Sequence, residues 1–282
     1  MTELKREIFN LKEVKTISVY IGNAVRWCGS MKKRPISTAQ EALDCLKAAL
    51  FEWGSKFNSD QTEGRGLPKH LVCNLIQPTE RIDPNEREDI RISAKLFICK
   101  ADTMFVKEAV TRACLELGIS QLDSVILAVA ALSEGHRPTL EDLKPYWKEL
   151  EDLVQEQKIA SIGVSDLDQE VLEALCQHTQ VRPSSLQVNL ASCCVIPPDL
   201  AAFANENNIQ LLTHNDPAGL IHPDMLPVGS FQDALCASLQ DPHDNEWVPH
   251  WILRYSAVIK HRGIIKSKGY MVHAKKQVTQ QQ

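Results

Sequence analysis

Lys95 stands inside an apolar, strand-like run, RISAKLFIC (Arg91 to Cys99). A lysine enclosed by apolar neighbours loses hydration, which disfavours its charge and lowers its pKa. That makes Lys95 a candidate for catalytic or cofactor-linked chemistry. The alternative is a plain ion pair with an acid such as Asp123. Polar side chains also close or interrupt other apolar runs: Ser165 and Asp166, Gln187 and Asn189, His214 and Asn215. Such positions suit a ligand-facing rim, and they suit loop capping equally well. Cys193 and Cys194, just ahead of Pro197-Pro198, form the single vicinal cysteine pair. A reactive thiol needs a stabilised thiolate and exposure; a small buried hydrophobe needs neither.

Several other chemistries are absent. The chain has no G-x-x-x-x-G-K-[ST] or G-x-G-x-x-G phosphate loop, no G-x-S-x-G elbow and no H-E-x-x-H pair. Its 9 cysteines are scattered without a C-x-x-C pair, which argues against a zinc site or a disulfide framework. No metal site is expected.

Alternating strands and helices must position these candidates. SVILAVAAL (Ser124 to Leu132) and IASIGVS (Ile159 to Ser165) read as strands covered on both faces. SLQVNLA (Ser185 to Ala191) and IQLLTH (Ile209 to His214) continue the series. Between them lie helices over Ala101 to Leu117, stopped by Gly118, and from Thr139, with Asp142 completing a capping-box-like start. Further helices run from Asp168 to His178 and from Pro197 to Asn207. The alternation predicts an α/β fold with a parallel sheet and, at this length, a closed (β/α)8 TIM barrel. Residues 1–268 are expected to form that single domain and 269–282 a polar, disordered tail. Asn58 to Lys69 and Leu220 to Gly229 read as surface insertions. The helices around Trp147 and Trp251 are candidate partner surfaces, although aromatics on a barrel helix usually pack against the sheet.

The 282 residues carry 31 basic and 36 acidic side chains, a net charge of −5. That balance is unlike a nucleic-acid binder. No apolar run reaches the roughly 18 residues of a membrane span, and the charged start MTELKREIFNLKEVK lacks a secretory signal. A cytoplasmic protein with no nucleic-acid or membrane partner is expected.

The stretches REDIRISAKLF, LGISQLDSVIL, YWKELEDLVQEQKIASIGVSD, LQVNLAS and ILRYSAVIKHRGIIKS occur in the order found in the aldo-keto reductase superfamily, which the chain resembles over residues 87–267. The resemblance implies a barrel that binds NADPH and reduces carbonyls with a Tyr, Lys, Asp and His tetrad. Lys95 matches the lysine of that tetrad. Ala128 stands where the histidine belongs, the early Asp and Tyr have no counterpart, and His214 takes the place of the tyrosine that stacks on nicotinamide. Without that acid, an alkoxide formed by hydride transfer is left unquenched.

WCGSMKKRPIST, IDPNEREDIRISAKLF, VNLASCCVIPPDLAAFA, IQLLTHNDP and RGIIKSKGY resemble one branch more closely, the regulatory subunits of glutamate–cysteine ligase. This resemblance implies a non-catalytic protein that pairs with the ligase catalytic subunit as a heterodimer. It would raise apparent glutamate affinity and relieve glutathione feedback inhibition in glutathione biosynthesis. It implies no required cofactor, with Lys266, Ser267, His214, Ser165 and Gln187 as a remnant NADPH site. It also implies a reversible inter-subunit disulfide, for which Cys193 and Cys194 are the candidates. The rival reading is an atypical NADPH-dependent reductase using Lys95 and His214.

Overall fold

A computed structural model describes residues 14–28, 38–56, 68–129, 138–189, 195–216 and 246–277. The strands are β1 (Thr16–Tyr20), β2 (His70–Asn74), β3 (Ile90–Ile98), β4 (Ser124–Val129), β5 (Ile162–Ser165), β6 (Ser185–Asn189), β7 (Gln210–His214), β8 (Glu246–Ile259) and β9 (Ile264–Gln277). The helices are α1 (Ala24–Cys28), α2 (Thr38–Lys56), α3 (Met104–Leu117), α4 (Leu140–Gln155), α5 (Gln169–His178) and α6 (Pro198–Glu206).

Strands β3 to β7 run parallel, each joined to the next through a helix. Local sequence sets most of these boundaries. Thr139 and Asp142 cap α4 reciprocally, each side chain meeting the other's backbone N–H. Gly118 closes α3 with φ 70, a left-handed turn that suits a residue without Cβ. All six residues of β4 are buried, as expected of a strand covered on both faces.

The nine strands form one sheet in the order β2-β1-β9-β8-β3-β4-β5-β6-β7. Its parallel β/α series is the one expected from the alternation. It also holds something the alternation does not predict. β8 and β9 form a long antiparallel hairpin, inserted between β1 and β3 and antiparallel to both. The expected all-parallel sheet is therefore corrected to a mixed one.

The expected tail is corrected too. Residues 269–277 belong to β9, where Tyr270, Met271, Val272 and Ala274 are buried. A Cβ at Gly269 would come within 2.1 Å of the Gly22 carbonyl, so the backbones there pack tightly. The lysines and glutamines that follow hide the short apolar run Tyr270-Met271-Val272. Residues 278–282 lie outside the described residues, as do most of the two expected insertions.

The sheet has two apolar faces. The outer one packs Ile92, Ala94, Leu96, Val125, Leu127 and Leu253 against α3 to α6. The inner one packs Val19, Phe97, Ala128, Ile252 and Val272 against Leu43, Leu46 and Leu50 of α2. Trp147 on α4 and Trp251, which lies on β8 and not on a helix as expected, are fully buried in the outer core, so neither ring faces outward. Among the described residues no helix is long and apolar enough to cross a membrane. The described cysteines Cys45, Cys73, Cys99, Cys114 and Cys176 are all buried, and burial pushes the Cys99 thiol up to about 12.

Candidate functional site

Strand alternation sends Ala94 and Leu96 to the outer core and turns Lys95 and Phe97 to the inner face. Lys95 is 4 % exposed. Its Nζ donates to Ser165 Oγ at 3.0 Å, at the end of β5, and to Asp216 Oδ2 at 2.9 Å, just past β7. Arg254, the register partner of Lys95 on β8, forks onto the same carboxylate at 2.5 and 3.1 Å. A planar guanidinium suits such two-point pairing.

His214, the last residue of β7, lies between two acids. Its Nε2 is 2.9 Å from both Asp166 oxygens, and its Nδ1 is 3.3 Å from Asp216 Oδ2. Asp166 has a left-handed backbone, φ 60, uncommon for a residue with a side chain. Two bonds to β6 hold it there: Asp166 N–H donates to Gln187 O at 2.8 Å, and Asn189 N–H donates to Asp166 Oδ1 at 2.9 Å.

The electrostatics follow from these contacts. Burial lowers the Lys95 pKa, and the Asp216 charge only partly offsets it. Burial alone would raise Asp216, but bonds from His214 and Arg254 hold it well below the usual carboxylate range. Burial would likewise lower His214, yet its bonds to Asp166 and Asp216 win and raise it. Within the cluster Lys95, Arg254 and His214 each meet a carboxylate.

Beside it, a cavity of about 410 Å³ lies between the inner face and the start of α2, lined in part by Lys95, Gln187, Arg254, Lys268, Tyr270 and Glu41. Tyr270 O–H donates to Glu41 Oε1 at 2.7 Å, and Lys268 Nζ donates to Glu41 Oε2 at 2.6 Å. Burial and the Glu41 carboxylate both push the tyrosine pKa upward. A general acid works best with a pKa near the working pH, so Tyr270 is a poor substitute for the missing tetrad tyrosine. Ala128, at the position where a tetrad histidine is expected, is buried among apolar side chains.

Of the residues singled out in the sequence, Lys95, Ser165 and His214 come together, and Gln187 stands beside Ser165 on the neighbouring strand. Lys266 and Ser267 do not join them. Lys266 bonds Glu86 at a separate surface depression, and Ser267 is buried opposite Ala257. Lys266 thus has Glu86 as its partner and lines a depression that Ser165, Gln187 and His214 do not line. The acid that pairs with Lys95 is Asp216 rather than Asp123, which bonds Arg87 and the Ile92 N–H. Cys193 and Cys194 lie outside the described residues. Among the described residues no group of three or more His, Cys, Asp and Glu could hold a metal ion. Sequence reasoning missed Asp216, Arg254, Glu41 and Tyr270. Two of them left a trace: Asp216 directly follows the strand-end pair His214-Asn215, and Arg254 interrupts the apolar run WILRYS.

Residues 30–219 match the model of the aldo/keto reductase family, and the chain belongs to that family. Within it, the chain groups with the glutamate–cysteine ligase regulatory subunits. It is 48% identical over 267 residues to the proteins of that name from Homo sapiens and Rattus norvegicus, covering 94% of this chain and 95% of each relative. Among solved structures, a similar one is an aldo-keto reductase complexed with NADPH, with 19% identity and a TM-score of 0.38, covering 54% of this chain and 52% of that one.

Proposed function

We propose that this chain is a non-catalytic partner of the glutamate–cysteine ligase catalytic subunit, with which it forms a heterodimer. In that complex it raises apparent glutamate affinity and weakens glutathione inhibition. The observation that carries the non-catalytic part is the pairing of Lys95 with Asp216, itself clamped by Arg254. The one matching tetrad residue is held in an internal ion pair, and Ala128 stands where the tetrad histidine is expected. The regulatory part rests on similarity along nearly the whole chain to proteins named as regulatory subunits.

The physical content is a coupling free energy. The chain must bind more tightly to the catalytic conformation that favours glutamate than to the one that accepts glutathione. A coupling of about 1–3 kcal/mol corresponds to roughly 5- to 150-fold in apparent affinity. The test is glutamate saturation of the catalytic subunit with and without this chain, at zero and millimolar glutathione. A lower apparent glutamate constant with weaker inhibition is expected; unchanged curves with both proteins folded would sink the assignment.

This reading requires no cofactor, and the cytoplasm is the compartment it expects. Residual NADPH binding would fall to Lys266, Ser267, His214, Ser165 and Gln187, and Glu86 opposes it at the phosphate end. Titration with NADPH should give no saturable fluorescence change, and aldehydes should cause no NADPH consumption above background. An inter-subunit disulfide through Cys193 or Cys194 is the remaining element. Loss of the cross-link in Cys193→Ser or Cys194→Ser would identify the thiol, and a cross-link persisting in both single variants and the double variant would exclude the pair.

A further inference from the structure

We propose that His70, His250 and His273 form an acid-sensitive latch, which fastens the first two turns of α3 to the outer face of the sheet and releases them locally as the rings take up protons. The three rings come from three strands, β2, β8 and β9. The His273 ring centroid lies 5.8 Å from that of His70 and 5.9 Å from that of His250. Phe105, in the first turn of α3, lies against two of them, 4.9 Å from His250 and 6.3 Å from His273. Trp251 stacks on His273 at 6.0 Å. Exposure is graded across the group: His70 is exposed, His250 half-buried and His273 buried.

The cluster is poorly equipped to take up charge in place. Among the described residues, one carboxylate reaches the three rings at ion-pair distance, Glu108 on the second turn of α3, 3.9 Å from His273 Nδ1. That nitrogen already meets Ser18 Oγ on β1 at 2.9 Å, and His70 Nδ1 meets Thr16 Oγ1 at 2.6 Å. Glu108 offers little relief, because burial favours its neutral form too, against the pull of His70 and Arg112. Lys275 on β9 and Lys100 past β3 repel a proton on His250, and Asp102 ahead of α3 attracts one. A charge gained first by His70 or His250 makes the next one harder to place on His273.

Release of the helix start resolves this conflict. Once the turn holding Phe105 and Glu108 lifts, water hydrates the rings, so the open form binds protons that the closed form refuses. Acid then favours the open form. The later turns of α3, with Ala113, Cys114 and Leu117 buried, remain on the sheet, and the opening is local rather than global.

Hydrogen exchange of the full chain by mass spectrometry, corrected for the intrinsic pH dependence of amide exchange, reads this opening. Between pH 6.5 and 5 the opening constant of residues 104–111 should rise at least about tenfold, the yield of one ring that titrates at 6.5 when open and near 4 when closed. Strands β4 and β5, which carry no histidine, should keep their protection. His273→Asn, which keeps a polar partner for Ser18, should flatten the rise, and His250→Gln should reduce it. If neither variant folds, proton NMR of the unaltered chain decides: the His273 ring should remain neutral down to pH 5. A rise shared equally with β4 and β5, one short of tenfold, one undiminished in folded His273→Asn, or a His273 ring titrating near 6.5 would overturn the proposal.

Discussion

Two buried histidines occupy opposite electrostatic settings in one sheet. His214 lies between Asp166 and Asp216, and its pKa is raised. His273, on β9, bonds Ser18 Oγ at 2.9 Å, stacks on Trp251, and sits near two more histidines, His70 and His250, with ring centroids 5.8 and 5.9 Å away. Burial, reinforced by His250, His70 and Lys275, pushes it down to about 4. Its nearest carboxylate oxygen, Glu108 Oε1, is 3.9 Å away, and burial raises that acid's own pKa. Burial opposes charge in both places. Two close carboxylates reverse the outcome in one and not in the other.

The largest test of this contrast is Asp216→Asn. It strips the carboxylate from Lys95 and Arg254 together while Lys95 stays buried. Breaking a buried pair by removing one partner typically costs about 3–5 kcal/mol, and chemical denaturation should read a loss of that order. A cost below about 1 kcal/mol would mean that water, not protein, balances those charges.

The next test is acid. His273 titrates near 4 when folded, against 6.5 for an ordinary histidine. The unfolded chain therefore binds the proton first as pH falls through that window, and folding loses up to about 3 kcal/mol from this residue. His214 has the opposite sign: its contribution is complete below 6.5 and lost as pH rises through its raised folded pKa. His273→Phe should flatten the stability curve between pH 6.5 and 4, and an unchanged slope would place the acid sensitivity elsewhere.

A smaller effect is expected from Asp166→Asn, because Asp166 is 35 % exposed and water screens part of the pair. Proton NMR should show His214 titrating at lower pH, with stability reduced by about 1 kcal/mol. A fixed titration would assign the raised pKa to Asp216 alone. The smallest is Glu141→Gln, which removes an exposed i,i+3 pair with Lys144 on α4, far from either histidine. It should cost less than about 0.5 kcal/mol and so sets the baseline for the other three.

What the sequence made legible was local. The capping box at Thr139, the stop at Gly118 and the apolar run of β4 each sit within a few residues of the element they define. Lys95, Ser165 and His214 could be singled out because a polar side chain stands out in or beside an apolar strand. Their partners could not. Asp216 lies 121 residues beyond Lys95, and Glu41 lies 227 residues before Lys268. Lys266-Ser267-Lys268 before it and Lys275-Lys276-Gln277 after it disguised the apolar centre of β9, and the direction of β8 and β9 depends on pairing that no local period encodes. The two-carboxylate setting of His214 was hidden for the same reason, since Asp166 reaches it from another strand.

The placement of β9 also bears on synthesis. Thr16 pairs with Lys275, so β1 meets one of its two neighbours only after the long intervening stretch that holds β2 to β8 has been made. Contacts of such sequence separation slow folding and leave strand edges open meanwhile. Strands β3 to β7 can associate in order as they emerge, whereas β1 and β2, although they pair with each other, join the rest of the sheet only through β9.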